Sequence, residues 1–181
     1  MITRYIKRIV VQHPKYSAEQ IISKIKDVQY VSFDIFDTLV KRSTVSPKGV
    51  FARIGKKQND DAFPLERIKA EECARQKARE QGMQEVNIED IYRCMPKQYS
   101  VEKEKWITLE LAEESMVCYC NRVMKKVYDY CVEKGKTIII TSDMYLSREF
   151  LTQLLHKCGY NVFHRLYVSS EYGVKKRTGD L

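Results

Sequence analysis

The feature that most constrains the fold is a short apolar run, Tyr30–Phe33, which ends abruptly at a carboxylate, Asp34. A second acid, Asp37, and a hydroxyl, Thr38, follow within the next turn of the chain. A buried strand that ends in this way places a charged oxygen at the carboxyl edge of a sheet, where ligands bind in open α/β folds. Residues 30–40 therefore predict a strand that leads into a ligand site.

Two further stretches have the same character. Residues 137–141 form a β-branched run typical of buried parallel sheets, and Ser142 and Asp143 follow it. Residues 166–168 form a third short run, again followed by polar residues. Amphipathic helices precede the first strand and separate the second from the third, so the order predicts a parallel α/β sheet with right-handed connections. The polar ends of the three strands should then meet at one edge.

Residues 43–134 are expected to be an all-helical insertion between the first two strands. Apolar residues recur there at helical spacing, and nothing between residues 47 and 134 alternates as a strand does. Serines at positions 17 and 147 are expected to begin the flanking helices as N-caps. We therefore predict a sheet-containing core, residues 1–42 and 135–181, and a helical cap, residues 43–134.

Composition excludes several other classes of protein. No apolar run approaches the roughly 18 residues of a membrane span, and residues 1–11 lack the pattern of a signal peptide. The six cysteines form no Cys-x-x-Cys pair, so a zinc site or a redox motif is not predicted. We expect a cytoplasmic protein with reduced thiols and no membrane partner.

The net charge of +8 is compatible with a nucleic-acid partner or with an anionic substrate. Lysine and arginine are spread along the chain among glutamates, as on solvated helices, and no nucleic-acid-binding motif accompanies them. We therefore expect no nucleic-acid partner. A basic solvated surface explains most of the charge, and attraction of a small anionic substrate is the more specific alternative.

The predicted edge of the sheet gathers the groups needed for covalent catalysis by a carboxylate. A carboxylate can attack a phosphoryl group when a cation screens the approach of the anion. Lysine and hydroxyl groups can hold the transferring oxygens. The simpler alternative is that Asp34 caps a turn. The candidates are Asp34, Asp37, Thr38, Ser142, and either Lys175 or Lys176.

The order of these pieces resembles the haloacid dehalogenase (HAD) superfamily. Residues 33–39, 138–143 and 169–176 are similar to its first, second and third motifs, and the helical insertion corresponds to its C1 cap. The first motif looks most like predicted HAD-type hydrolases found with glycosyltransferases of bacterial surface-polysaccharide synthesis. The resemblance implies a Rossmann-like parallel three-layer sandwich with an inserted all-helical cap.

The resemblance also implies a role for each matching residue. Asp34 would be the nucleophile, Ser142 would bind a phosphoryl oxygen, and Lys176 would neutralise the intermediate, with Lys175 as the alternative. Thr38 would hold the loop after the nucleophile, and with Lys175 and Asp143 it completes the expected substrate-binding set. Mg²⁺ would be bound by the Asp34 carboxylate and the backbone carbonyl of Phe36.

Two departures from the family pattern concern the general acid that protonates the leaving group and the ligands of Mg²⁺. Phosphatases of the family have a second Asp two residues after the nucleophile, where this chain has Phe36; Asp37 is one residue out of place. An aromatic residue at that position also occurs in the dehalogenase branch. The acidic fourth motif, which completes the Mg²⁺ site, has no counterpart before Leu181.

These observations favour a Mg²⁺-dependent phosphatase that acts through an aspartyl-phosphate on a small phosphorylated metabolite or sugar phosphate. The alternatives are a dehalogenase-type hydrolase and a non-catalytic interaction module of a polysaccharide-synthesis protein. Because the fourth motif is missing, we expect a catalytically incomplete chain, which is a fragment, a prematurely ended reading frame or part of a larger assembly; a fragment is the simplest of these interpretations. The first strand should then be an unpaired edge that associates with another chain.

Overall fold

The computed structural model describes residues 16–176, 179 and 181. Residues 1–15 of the predicted core, which include the segment compared with signal peptides, lie outside the described residues. The strands are β1 (Tyr30–Phe33), β2 (Val40–Arg42), β3 (Cys118–Cys120), β4 (Thr137–Ser142) and β5 (Arg165–Val168). The helices are α1 (Ala18–Ile25), α2 (Gly49–Gln58), α3 (Phe63–Glu80), α4 (Ile88–Arg93), α5 (Lys97–Ser100), α6 (Lys103–Val117), α7 (Arg122–Glu133), α8 (Arg148–Lys157) and α9 (Ser169–Tyr172).

Three of the strands form the predicted parallel sheet. Its order is β1-β4-β5, with Phe33 opposite Ile140 and Ser142 opposite Val168. All three strands therefore end at one edge, as expected. Within the described residues β1 has one neighbouring strand, and association of its other side with a second chain stays a prediction. The mixed α/β class is confirmed.

The two faces of this sheet differ in burial. Side chains alternate between the faces along each strand. One face is buried, and α7 covers part of it through Tyr128, whose ring lies 6.3 Å from that of Phe33. The opposite face is half-buried or exposed at Ser32, Ile139 and Tyr167. The β-branched run of β4 is of the kind found in buried parallel sheets, and in the described residues one face of β4 is fully covered.

Residues 43–134 are mostly helical, but the expectation of an all-helical segment is wrong at residues 118–120. These residues form β3, which pairs antiparallel with β2 so that Val40 lies opposite Cys120 and Arg42 opposite Cys118. A three-residue strand carries too little alternation to be recognised in a sequence, and it exists here because β2 offers it a partner. The β2-β3 ladder thus brings together the chain on either side of helices α2–α6.

The helices between β2 and β3 pack on one another, whereas α7 packs on α1 and β4. Helix α7 lies within the predicted cap range, yet its contacts are with elements of the predicted core. The division into a core of residues 1–42 and 135–181 and a cap of residues 43–134 stays a prediction. The N-caps at Ser17 and Ser147 are confirmed, and Ser17 forms a complete capping box with Gln20. No described helix combines the length and hydropathy required to cross a lipid bilayer.

A buried ion pair lies at the centre of the helical segment. The Arg67 guanidinium donates two hydrogen bonds of 2.8 Å to the two carboxylate oxygens of Glu110. The hydroxyls of Tyr92 and Tyr145 donate to the same carboxylate at 2.8 and 3.0 Å. Burial, followed by the charge of Glu110, raises the pKa of Tyr145 far above its usual value, so this hydroxyl stays a donor. Every oxygen of the buried carboxylate is thereby satisfied.

Candidate active site

The structure brings the first and third motifs into direct contact. Lys176 Nζ lies 2.7 Å from Asp34 Oδ1, although the two residues are 142 positions apart in the chain. Asp34 directly follows β1, and Lys176 follows the short helix α9 at the end of β5. Of the two candidate lysines, Lys176 is therefore the one that pairs with the Asp34 carboxylate. The predicted convergence of strand ends is observed for these two residues.

Two further contacts hold Lys176 in place. Its ammonium donates a hydrogen bond of 3.2 Å to the carbonyl of Thr141, the penultimate residue of β4. Its backbone N–H donates to Asp143 Oδ1 at 2.9 Å. Asp143 thus orients the backbone that carries the lysine. Its expected role in substrate binding stays a prediction.

The Asp34–Lys176 pair is open to solvent. The Asp34 side chain is 43% exposed and that of Lys176 is 23% exposed. Ser142 ends β4 and is buried, with 1% of its surface exposed. A ligand can therefore reach the Asp34 carboxylate directly, whereas the Ser142 hydroxyl lies beneath the surface of this edge. Phosphoryl binding by Ser142 stays a prediction.

The chain makes a tight turn immediately after Asp34. The backbone N–H of Val40 donates to the carbonyl of Ile35 at 2.8 Å, which closes the turn. Asp37 lies within it in the left-handed region, at φ 59°, and is exposed. The Thr38 carbonyl accepts a hydrogen bond of 2.7 Å from the Asn121 side chain. Thr38 is thus fixed through its backbone, and the roles of Asp37 as acid and of Thr38 in substrate binding stay predictions.

By the resemblance to the HAD superfamily, Phe36 would stand where a phosphatase has its second Asp. The guanidinium of Arg42 lies 4.0 Å from the centre of the Phe36 ring, a cation–π geometry. Arg42 is in turn paired with Glu114 of α6 at 2.6 Å. The ring is therefore held between the turn and the helical segment. Phe36 supplies no proton donor beside Asp34.

The described residues do not make a complete magnesium site. Mg²⁺ requires oxygen ligands in octahedral geometry, usually including one or two carboxylates. No group of three or more acidic, histidine or cysteine side chains that could hold a metal occurs among residues 16–176. Asp34 and the Phe36 carbonyl would supply only two ligands of the set that the resemblance implies, and Asp34 Oδ1 accepts a hydrogen bond from Lys176. We therefore derive no chemical step from a metal.

Two contacts to this edge come from residues that the sequence did not single out. The backbone N–H of Lys175 donates to Gln84 Oε1 at 3.1 Å, and the Ser169 hydroxyl donates to Glu85 Oε2 at 3.3 Å. Gln84 and Glu85 lie between α3 and α4, about ninety residues earlier in the chain. They follow a glycine in a polar loop and carry no motif, so no local signal could have identified them.

No protein-family model matches the chain, and no curated protein sequence matches it either. The resemblance to the HAD superfamily therefore depends on the three short motifs and their order.

Proposed function

We propose that the chain is a HAD-type hydrolase whose nucleophile is Asp34 and whose reaction is phosphate-ester hydrolysis. The observation that supports this proposal is the 2.7 Å contact between Lys176 Nζ and Asp34 Oδ1. An exposed carboxylate beside a lysine at the carboxyl edge of a parallel sheet combines a nucleophile with a cation that can screen an anionic substrate. The proposal includes a Rossmann-like three-layer core, a helical cap and a cytoplasmic location.

In the proposed reaction, an oxygen of Asp34 attacks the phosphorus atom and forms an aspartyl-phosphate. The bond to the leaving oxygen breaks, and that oxygen departs with the electron pair. Water then attacks the phosphorus, releases inorganic phosphate and regenerates the carboxylate. Lys176, held by Thr141 and Asp143, offsets the negative charge that builds up on the phosphoryl oxygens. Mg²⁺ belongs to the proposal through the family resemblance alone.

The Phe36 ring limits the substrates that such a site can process. Because no carboxylate stands two residues after Asp34, a poor leaving group would depart without a proton from that position. General acid catalysis of this kind typically contributes about 10²–10⁴-fold. We therefore propose small phosphorylated metabolites or sugar phosphates whose leaving group is stable as an anion or is protonated from elsewhere, with Asp37 as the candidate acid.

A dehalogenase-type reaction is the second candidate, and Phe36 is the observation that favours it. In that reaction Asp34 would attack a carbon atom and displace halide, which needs no proton. An aromatic residue two positions after Asp34, where the resemblance gives phosphatases their acid, favours a reaction whose leaving group needs no proton. The third candidate, a non-catalytic interaction module of a polysaccharide-synthesis protein, predicts that neither phosphate nor halide is released.

The test is an assay of the full chain against sugar phosphates, nucleotides, p-nitrophenyl phosphate and haloacids, with and without Mg²⁺. Phosphate release that Asp34→Asn abolishes, together with binding of beryllofluoride to the unsubstituted chain, supports the phosphatase. Halide release that depends on Asp34 supports the dehalogenase. Asp27→Asn, an exposed acid before β1, is the matched control and should leave turnover unchanged. Turnover that survives Asp34→Asn contradicts both enzymatic proposals.

A further inference from the structure

The loop between α3 and α4 forms hydrogen bonds with the turn that precedes Lys176. The backbone N–H of Gln84 donates to the carbonyl of Gly173 at 2.8 Å. The side-chain carbonyl of the same residue accepts from the backbone N–H of Lys175 at 3.1 Å. Gly173 has φ 66°, a left-handed conformation that reverses the chain after α9. A single residue of the helical segment thus holds both ends of this turn.

The next residue, Glu85, holds the other loop of the site. Its carboxylate is 3% exposed and is paired with Arg75 of α3. It accepts a hydrogen bond from the Ser169 hydroxyl at 3.3 Å, and this hydroxyl accepts one from the backbone N–H of Met144 at 2.8 Å. Met144 follows Ser142 and Asp143 directly. Gln84 and Glu85 therefore connect the helical segment to both loops at the carboxyl edge of the sheet.

We propose that Gln84 is a positioning residue for Lys176. By fixing the backbone from Gly173 to Lys175, it sets the point from which the lysine side chain reaches Asp34. The lysine has four rotatable side-chain bonds, so a displaced backbone would leave the ammonium free to sample other positions. The helical segment is then part of the site itself and not only a cover for it.

The proposed role has a consequence for catalysis that rests on the proposed function. Displacing a catalytic group by about 1 Å can lower a rate by about 10²-fold. The positioning of Lys176 can be measured whether or not the chain turns over a substrate. The experiment therefore measures the chemical accessibility of Lys176 first and the rate of turnover second.

The test compares two substitutions of Gln84 in the full chain. Gln84→Met keeps the length of the side chain and the backbone bond to Gly173 but removes the acceptor for Lys175. Gln84→Glu keeps that acceptor. Gln76→Met is the matched control, because Gln76 lies on α3 and bonds to Glu80 of the same helix. Far-ultraviolet circular dichroism checks the fold of each variant.

The readout is the rate at which an amine-reactive acetylating reagent labels Lys176, followed by tandem mass spectrometry. An ammonium held against a carboxylate is shielded, and loss of an exposed ion pair corresponds to a rise in labelling of about 2–5-fold. We expect this rise in Gln84→Met, the wild-type rate in Gln84→Glu and Gln76→Met, and the full rise in Asp34→Asn. If phosphatase activity is present, kcat should fall in Gln84→Met and recover in Gln84→Glu.

Three outcomes overturn the inference. A folded Gln84→Met that labels Lys176 at the wild-type rate shows that Lys176 is positioned without Gln84. A rise that appears equally in Gln84→Glu shows that the acceptor is not the cause. An unfolded Gln84→Met shows a role in the fold instead of one in positioning. Absence of turnover in every variant, with the expected labelling, refutes the proposed function and leaves the positioning role intact.

Discussion

Two carboxylate–cation pairs of this molecule differ in how far they are exposed to solvent. The Arg67–Glu110 pair is buried, with side-chain exposures of 0% and 1%. The Asp34–Lys176 pair is open, with exposures of 43% and 23%. Glu110 receives two bonds from arginine and one from each of two tyrosines, whereas the lysine contact to Asp34 engages one carboxylate oxygen.

The difference separates a structural pair from a candidate catalytic one. A buried carboxylate is stable only when its charge and its lone pairs are satisfied, and a carboxylate satisfied in this way has no capacity left for a ligand. Asp34 keeps an accessible oxygen, which a nucleophile requires. The buried pair is therefore expected to govern stability and the open pair to govern activity, and the predictions below separate these two quantities.

The largest expected effect is a gain of phosphatase activity when a proton donor is added near Asp34. Phe36→Asp places a carboxyl group at the position of the missing proton donor. If the chain is a phosphatase, hydrolysis of an alkyl phosphate should rise by about 10²–10⁴-fold, whereas hydrolysis of p-nitrophenyl phosphate, whose leaving group needs no proton, should change little. Steady-state kinetics with both esters measures the contrast. Equal changes for both esters would contradict the assignment of position 36.

The next effect concerns stability and the buried pair. Glu110→Gln leaves the Arg67 charge buried without its partner, which should lower the free energy of unfolding by about 3–5 kcal/mol. Urea denaturation followed by circular dichroism measures this change. Glu104→Gln on the same helix is the control, because Glu104 is 77% exposed and should alter stability by less than about 1 kcal/mol. Similar losses of stability in both variants would show that the buried pair contributes no more to stability than an exposed glutamate.

The sequence predicted the parts of this fold that depend on local patterns. Apolar runs located β1, β4 and β5, and the order of strands and helices predicted their parallel pairing. Strand β3 was missed because three residues show no usable periodicity and the pairing with β2 is a tertiary contact. The Arg67–Glu110 pair was also missed, since a glutamate on an amphipathic helix is expected to face solvent.

For the candidate site, the sequence likewise predicted the residues that belong to local motifs and missed the contacts that depend on packing. Motif order singled out Asp34 and two candidate lysines, Lys175 and Lys176, and the structure places Lys176 Nζ 2.7 Å from Asp34 Oδ1. Gln84 was not predictable, because its contact to Lys175 depends on how the α3–α4 loop packs against α9. The choice between Lys175 and Lys176 likewise required coordinates.

A smaller change in the free energy of unfolding is expected from substitutions in the turn after Asp34. Asp37 has φ 59°, which Asp and Asn tolerate and a β-branched residue does not. Asp37→Val should therefore lower the free energy of unfolding by about 1–2 kcal/mol, and Asp37→Asn should leave it nearly unchanged. Urea denaturation compares the two. A loss of turnover in a fully stable Asp37→Asn variant would assign the proton donor to Asp37.

The smallest change in stability is expected when the Asp34–Lys176 pair is broken. Lys176→Met should change the free energy of unfolding by less than about 1 kcal/mol, because exposed ion pairs contribute little to stability. The same variant should lose most of any Asp34-dependent turnover. Thermal and urea denaturation, run beside the assay, give both quantities. A loss of several kcal/mol would show that the open pair is structural after all.

The central claim, that Asp34 is a nucleophile, is tested most directly by trapping its covalent intermediate. The full chain is mixed with p-nitrophenyl phosphate, quenched in acid and reduced with borohydride, which converts an aspartyl-phosphate into homoserine. Peptide mass spectrometry should find homoserine at position 34 and unchanged aspartate at position 37. Phosphate release with Asp34 unmodified, or with the modification at another residue, would contradict the claim.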